Sequence, residues 1–147
     1  MKTKLKAFIC LALFSVGFSF AQTKASEDNK FEFDSPEHYL DGYTLNYQYQ
    51  NGNAIHLEFY DGKAKYEWIS GPGKGNGNKD IPYRSRKIGT DMYIVNWHET
   101  ELKDYLNLIF DFNNMVVHGS VIIGYENKPE RPLRTMFKSG IIDHLKR

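Results

Sequence analysis

Met92-Tyr93-Ile94-Val95-Asn96-Trp97-His98-Glu99 alternates bulky apolar side chains with others and ends on an acid. Rich in aromatic and β-branched residues, it reads as a β-strand. Strand side chains point alternately to opposite faces, so Tyr93, Val95, Trp97 and Glu99 share one face and His98 lies on the other. If the shared face is the core side, a carboxylate sits among aromatics. Such a group is costly unless it is hydrogen-bonded, paired or protonated. Glu99 is then either satisfied by its surroundings or part of a site, and its place at the strand end also allows it to reach water.

The same alternation recurs on both sides of this stretch. Tyr43, Leu45, Tyr47 and Tyr49 form one face of an earlier strand, with Thr44, Asn46 and Gln48 opposite. Asn51-Gly52 follows, the strongest short hairpin signal. Residues 54–60 read as the next strand, with Ile55, Leu57 and Phe59 on one face. Asp61-Gly62 turns into 63–69, with Ala64, Tyr66 and Trp68 inward and Lys63, Lys65 and Glu67 outward. Strands are also predicted over 81–88, 92–100, 105–112 and 115–125. In 105–112, Leu106, Leu108, Phe110 and Phe112 share a face. Residues 126–132 read as a charged loop. Residues 133–145 fit a last strand bent at Gly140, or a strand ending in a short helix.

Residues 70–80 break the pattern. Gly71, Gly73, Gly75 and Gly77 alternate with Pro72, Lys74 and Asn76, and no apolar residue anchors the run, which predicts a mobile flap. About eight short strands joined by tight turns predict an all-β, antiparallel up-and-down, lipocalin-like β-barrel. Eight strands enclose an interior that is either packed or wide enough for one small ligand.

The N-terminus reads as an export signal. Lys2, Lys4 and Lys6 precede a mostly apolar run, 7–20, too short for a membrane span. Ser19-Phe20-Ala21 fits a cleavage site, which predicts a periplasmic or secreted protein with no stable membrane insertion after cleavage. The expected organisation is a signal peptide at 1–21, a flexible polar lead-in at 22–40 and the barrel at 41–147. Cys10 lies inside the signal, so the mature chain needs no disulfide framework. Removing three of the nineteen basic residues leaves sixteen against eighteen acidic, a net charge of −2. That balance speaks against a nucleic-acid-binding surface.

Several chemistries find no support in the spacing. His38, His56, His98, His118 and His144 form no zinc-ligand pattern, and no metal or cofactor is expected. The 71–77 run lacks the Gly-Lys-Ser/Thr ending of a phosphate loop and a following helix. Ser70, Ser85, Ser120 and Ser139 lack a nucleophile elbow. Gly119, after His118 inside a strand, marks a close backbone approach or a bulge.

At Tyr47-Gln48-Tyr49-Gln50-Asn51-Gly52, Asp61-Gly62-Lys63-Ala64-Lys65-Tyr66 and Gly89-Thr90-Asp91-Met92-Tyr93-Ile94-Val95-Asn96-Trp97-His98-Glu99 the chain resembles the calycin-type barrels. These include the bacterial phenolic acid decarboxylases and the proteins related to molybdenum cofactor biosynthesis protein F (MoaF). The resemblance runs from Tyr43 to about Tyr125. It implies that Tyr47 and Tyr49 orient a substrate carboxylate and that Glu99 handles a proton on a p-hydroxycinnamic acid. The decarboxylases also use an arginine, and lining up the flanking motifs without a gap places Asn76 there. Arg84 or Arg86 would substitute only if the flap folds differently. Those enzymes are cytoplasmic and have a longer C-terminal tail.

Three readings follow. The first is an exported binding module for a small aromatic or amphipathic molecule, lined by Tyr47, Tyr49, Tyr66, Trp68, Trp97 and Glu99. The second is a cofactor-independent lyase of the phenolic acid decarboxylase type, with Tyr47, Tyr49 and Glu99 catalytic and the expected arginine missing. The third is a packed, ligand-free barrel acting through its surface. The oligomeric state is not legible in the sequence.

Overall fold

The computed structural model describes residues 38–147. The expected signal peptide, its cleavage after Ala21 and most of the lead-in lie outside the described residues. Eight antiparallel strands close into one barrel: β1 (Thr44–Tyr49), β2 (Ala54–Tyr60), β3 (Lys63–Trp68), β4 (Gly77–Gly89), β5 (Met92–Glu99), β6 (Asp104–Asp111), β7 (Val116–Ile123) and β8 (Arg134–Lys146). Each strand pairs with its sequence neighbours, and β1 pairs with β8 to complete the ring. The predicted fold class is therefore the one observed.

The turns follow from their residues. Asp61 and Gly62 both have positive φ (48° and 72°), the left-handed pair of a tight hairpin whose twist matches the flanking strands. One open alternative is decided and two segments differ from expectation. Residues 133–147 form a strand throughout most of their length and carry no helix. The fourth strand begins at Gly77 rather than Ile81. The remaining part of the expected flap is a hydrogen-bonded turn: the Trp68 amide donates to the Asn76 carbonyl (2.8 Å), and the Gly75 amide to the Trp68 carbonyl (2.8 Å). Gly73 lies against the Trp68 ring, so the run has the aromatic anchor that its composition hid.

Of three register shifts among the described strands, two bear on the open end. Ala64 faces Ile81 across β3 and β4, but Tyr66 faces Asn78, so β4 carries an extra residue there; Asp80 nearby has φ 57°. Tyr47 faces Ile142, but Asn46 faces His144, which puts an extra residue into β8. Such bulges add local twist and re-aim side chains.

The waist of the barrel is solid. Leu45, Leu57, Val95, Leu108, Phe110 and Val117 are fully buried there. Gly119 is needed at this level, because a Cβ on it would lie 2.8 Å from Leu108 Cδ2. One end is closed by residues 38–43. Leu40 is 0% exposed and plugs the ring. The Gly42 amide donates to the Phe59 carbonyl and the Phe59 amide to Tyr43. Asp41 accepts from the Gly62 amide (3.0 Å) and the Tyr83 hydroxyl (2.8 Å). Tyr43, Tyr93 and Phe112 complete that end with tilted ring contacts. The opposite end carries the turns after β1, β3, β5 and β7.

Candidate functional site

A cavity of about 150 Å³ lies at the open end. Tyr47 and Tyr49 of β1, Tyr66 and Trp68 of β3, and Trp97 and Glu99 of β5 all line it. All six residues singled out in the sequence are thus brought together. Ile55, Leu106 and Val121 add apolar wall, and Leu102 stands at the rim.

Glu99 is 2% exposed, so it is an interior carboxylate and not a rim residue. Its Oε1 accepts from Trp97 Nε1 (3.2 Å) and its Oε2 from Asn78 Nδ2 (2.7 Å). Charge-assisted bonds of this kind offset the lost hydration of a buried carboxylate. Tyr66 sits beside it. Burial, and then the charge and hydrogen bonding of Glu99, push the Tyr66 phenol well above its ordinary range. Its hydroxyl therefore remains a donor at physiological pH.

Tyr47 and Tyr49 form a second polar unit. Their hydroxyls are 3.3 Å apart and their rings meet edge to face at 5.2 Å. Burial, reinforced for Tyr47 by its neighbour Tyr49, raises both phenols, so both stay neutral. Neutral phenols can donate to a ligand oxygen or accept from a ligand hydroxyl.

Two contributors to this end were not anticipated. Asn78 comes from the stretch expected to be a flap, and the bulge in β4 turns it inward. Lys138 comes from β8. Its Nζ lies 4.9 Å from the Tyr49 ring centroid and 5.5 Å from that of Trp68, within cation–π range. Burial lowers its pKa from the usual lysine value. Asp104, at the start of β6, also lines the cavity, but it is held by Arg131 Nη2 (2.6 Å) and the Gly124 amide (2.9 Å).

None of Asn76, Arg84 and Arg86 lines the cavity. Asn76 is exposed in the turn before β4 and does not line the cavity. The inward residues of β4 are Ile81, Tyr83 and Ser85, so Arg84 is exposed on the outer wall. It borders a larger open trough of about 500 Å³ together with Lys63, Asn96, His98 and Tyr105. Trp97 is common to both, but neither Tyr47 nor Tyr49 lines the trough, so its size does not make it the better site. His98 is exposed and bonds the Tyr125 hydroxyl (2.7 Å), and His56 bonds Asn46 and Glu58. Among the described residues no three His, Cys, Asp or Glu side chains converge as metal ligands do.

Comparison with known proteins places this architecture. A family model described as MoaF-like matches residues 41–127. No curated protein matches. Among solved structures, a candidate beta-lactamase from Burkholderia vietnamiensis is similar, with a TM-score of 0.59 and 17% identity over 76% of this chain and 98% of its own. At that identity the likeness shows the fold alone. A rhizavidin–biotin complex superposes with a TM-score of 0.39 and 8% identity, over 71% of this chain and 95% of its own.

Proposed function

The chain belongs to the MoaF-like family, and on that premise we propose that its barrel binds a small aromatic molecule in the open-end cavity. One observation carries this reading. Four aromatic walls, Tyr49, Tyr66, Trp68 and Trp97, enclose a space where a buried carboxylate, the hydroxyls of Tyr47, Tyr49 and Tyr66, and the Lys138 amine all converge. Apolar walls with a few placed polar groups are the usual make-up of a ligand pocket. A volume of about 150 Å³ limits the ligand to roughly one ring, since engineered cavities of about that size take up benzene. A cavity beside Glu99 also argues against the fully packed, ligand-free barrel.

The test is direct. Trp68 and Trp97 face the cavity, so phenol or benzoate should change their fluorescence saturably. An unchanged spectrum up to millimolar phenol and benzoate would remove the reading for single-ring ligands. We propose further that the protein works in the periplasm or outside the cell, on the strength of the Lys2, Lys4, Lys6 and 7–20 pattern. N-terminal sequencing of the protein recovered outside the cytoplasm should begin at Gln22.

A second reading, cofactor-free decarboxylation of phenolic acids, is favoured by one feature. Lys138 brings a cation to the Tyr47–Tyr49 pair from β8, where the resembling enzymes use an arginine from elsewhere. In it Tyr47 and Tyr49 hold the carboxylate and Glu99 handles the ring-side proton. Loss of p-coumaric acid absorbance on incubation with the protein tests it, and the absence of turnover rejects it for that substrate.

A further inference from the structure

We propose that Lys138 is a nucleophilic amine and that the open-end cavity captures small aromatic aldehydes by forming an imine on its Nζ. The inference rests on the cavity being a ligand site, as argued above, and adds a covalent step to it.

The geometry is unusual for a lysine. β8 turns Lys138 inward opposite Gly119, a residue with no side chain to block it. Its outward neighbour Phe137 is 90% exposed, so the strand presents its apolar ring to water and its amine to the barrel. A lysine ordinarily takes the opposite arrangement. Among the described residues Lys138 has no ion-pair or hydrogen-bond partner. Asp104, the acid on the same cavity wall, is already bound by Arg131. Glu99 is engaged by Trp97 and Asn78. The amine thus meets ring faces at 4.9 and 5.5 Å and little else.

Partial burial without a counter-ion favours the free amine, and desolvated lysines are the ones that form Schiff bases. The lowered pKa of Lys138 agrees with this. The neighbouring Tyr47 and Tyr49 hydroxyls, 3.3 Å apart and held protonated by burial, supply donors for a carbonyl oxygen. Amine, phenol donors and flat walls for one ring then stand in a single cavity.

The chemistry balances without a further reagent. The Nζ lone pair attacks the aldehyde carbon while the carbonyl π pair moves to oxygen, which takes up a proton. In the resulting carbinolamine the nitrogen lone pair forms the C=N bond as the hydroxyl leaves with a second proton as water. Both amine protons are lost, and amine plus aldehyde become imine plus water with no change in oxidation state. The water departs through the open end.

The experiment traps that bond. The full chain is incubated with benzaldehyde and cyanoborohydride, which reduces an imine to a stable benzylamine, and the label on each lysine is mapped by peptide mass spectrometry. Lys138 should carry on the order of ten times the label of exposed Lys74, Lys79 or Lys87, because the cavity holds the aldehyde beside its amine. Benzyl alcohol, which fits the same space but cannot form an imine, should suppress labelling at Lys138 and leave the exposed lysines unchanged. The ligand site itself is read separately, from the change benzyl alcohol makes to tryptophan fluorescence. Saturable fluorescence change with label spread evenly over all lysines would overturn covalent capture and leave the ligand site standing. Selective labelling that benzyl alcohol neither suppresses nor reports by fluorescence would overturn the ligand site, and capture with it.

Discussion

The two ends of the barrel use the same ingredients to opposite effect. Each gathers tyrosines around a carboxylate. At the closed end Asp41 is fully engaged by Gly62 and Tyr83, Leu40 fills the ring, and burial together with Asp41 holds the Tyr83 phenol far above its ordinary range. At the open end Glu99 is engaged by Trp97 and Asn78, but among the described residues no apolar plug follows it and no acid pairs with Lys138. The difference teaches where this fold places stability and where it leaves room. A satisfied acid beside a plug is architecture, whereas a satisfied acid beside a void and a half-buried amine is the arrangement on which the proposed ligand site rests.

The closed end is most sensitive at the plug. Leu40→Ala should cost about 2–5 kcal/mol of unfolding free energy in urea, because a fully buried leucine leaves a cavity behind. Phenol-induced fluorescence changes should persist in the folded fraction. If the change abolishes the fluorescence response while stability is kept, the two ends are not separate in function.

Glu99→Gln comes next. Both carboxylate oxygens accept from fixed donors, so a glutamine must point its NH₂ at either Trp97 or Asn78. A loss of about 1–3 kcal/mol follows from one unsatisfied buried donor. An unaltered urea midpoint would mean that Asn78 simply rotates its amide and that the acid is not structurally needed.

Trp68→Ala should act on binding more than on folding, since the ring is only partly buried. Loss of one ring contact, about 0.5–1.5 kcal/mol, weakens a single-ring ligand by up to roughly tenfold. Retention of full phenol affinity would move the ligand away from β3.

The smallest effect is a pH dependence. Lys138 has a folded pKa below its unfolded value. In the window between the two, the unfolded chain holds more protons, so stability rises with pH there; below the window the buried ammonium is a constant cost. Lys138→Met should therefore raise neutral-pH stability slightly, by less than about 1 kcal/mol because the half-buried amine is still partly screened by solvent, and remove the alkaline rise. A steeper alkaline rise in the variant would contradict the desolvated lysine.

The open end also shows how far a sequence can be read by parity. Tyr47, Tyr49, Tyr66, Trp68, Trp97 and Glu99 lie on regular stretches of strand, where alternate residues must share a face, and their convergence was legible. Asn78 was not, because Gly77, Asn78, Lys79 and Asp80 show no apolar alternation and a bulge separates Asn78 from the parity of Ile81 and Tyr83. Lys138 was hidden for a different reason. Phe137 and Ile141 are 90% and 67% exposed while Lys138 faces inward, so hydropathy alone would assign β8 the reverse faces. The flap reading failed because glycine composition reports backbone freedom and says nothing of the Trp68 ring on which the turn rests.

The β1–β8 pairing, described above as the closure of the ring, also orders events in time. It joins Thr44 to Lys146, the most distant strand partners in the described chain, whereas the other seven pairings are hairpins between neighbours. Closing the longest loop carries the largest entropic cost, and such non-local pairings slow folding. Lys138 rides on the strand that makes this closure. Until β8 docks, the sheet has two raw edges and the open-end cavity lacks Lys138, so the proposed ligand site is complete only once the ring is closed.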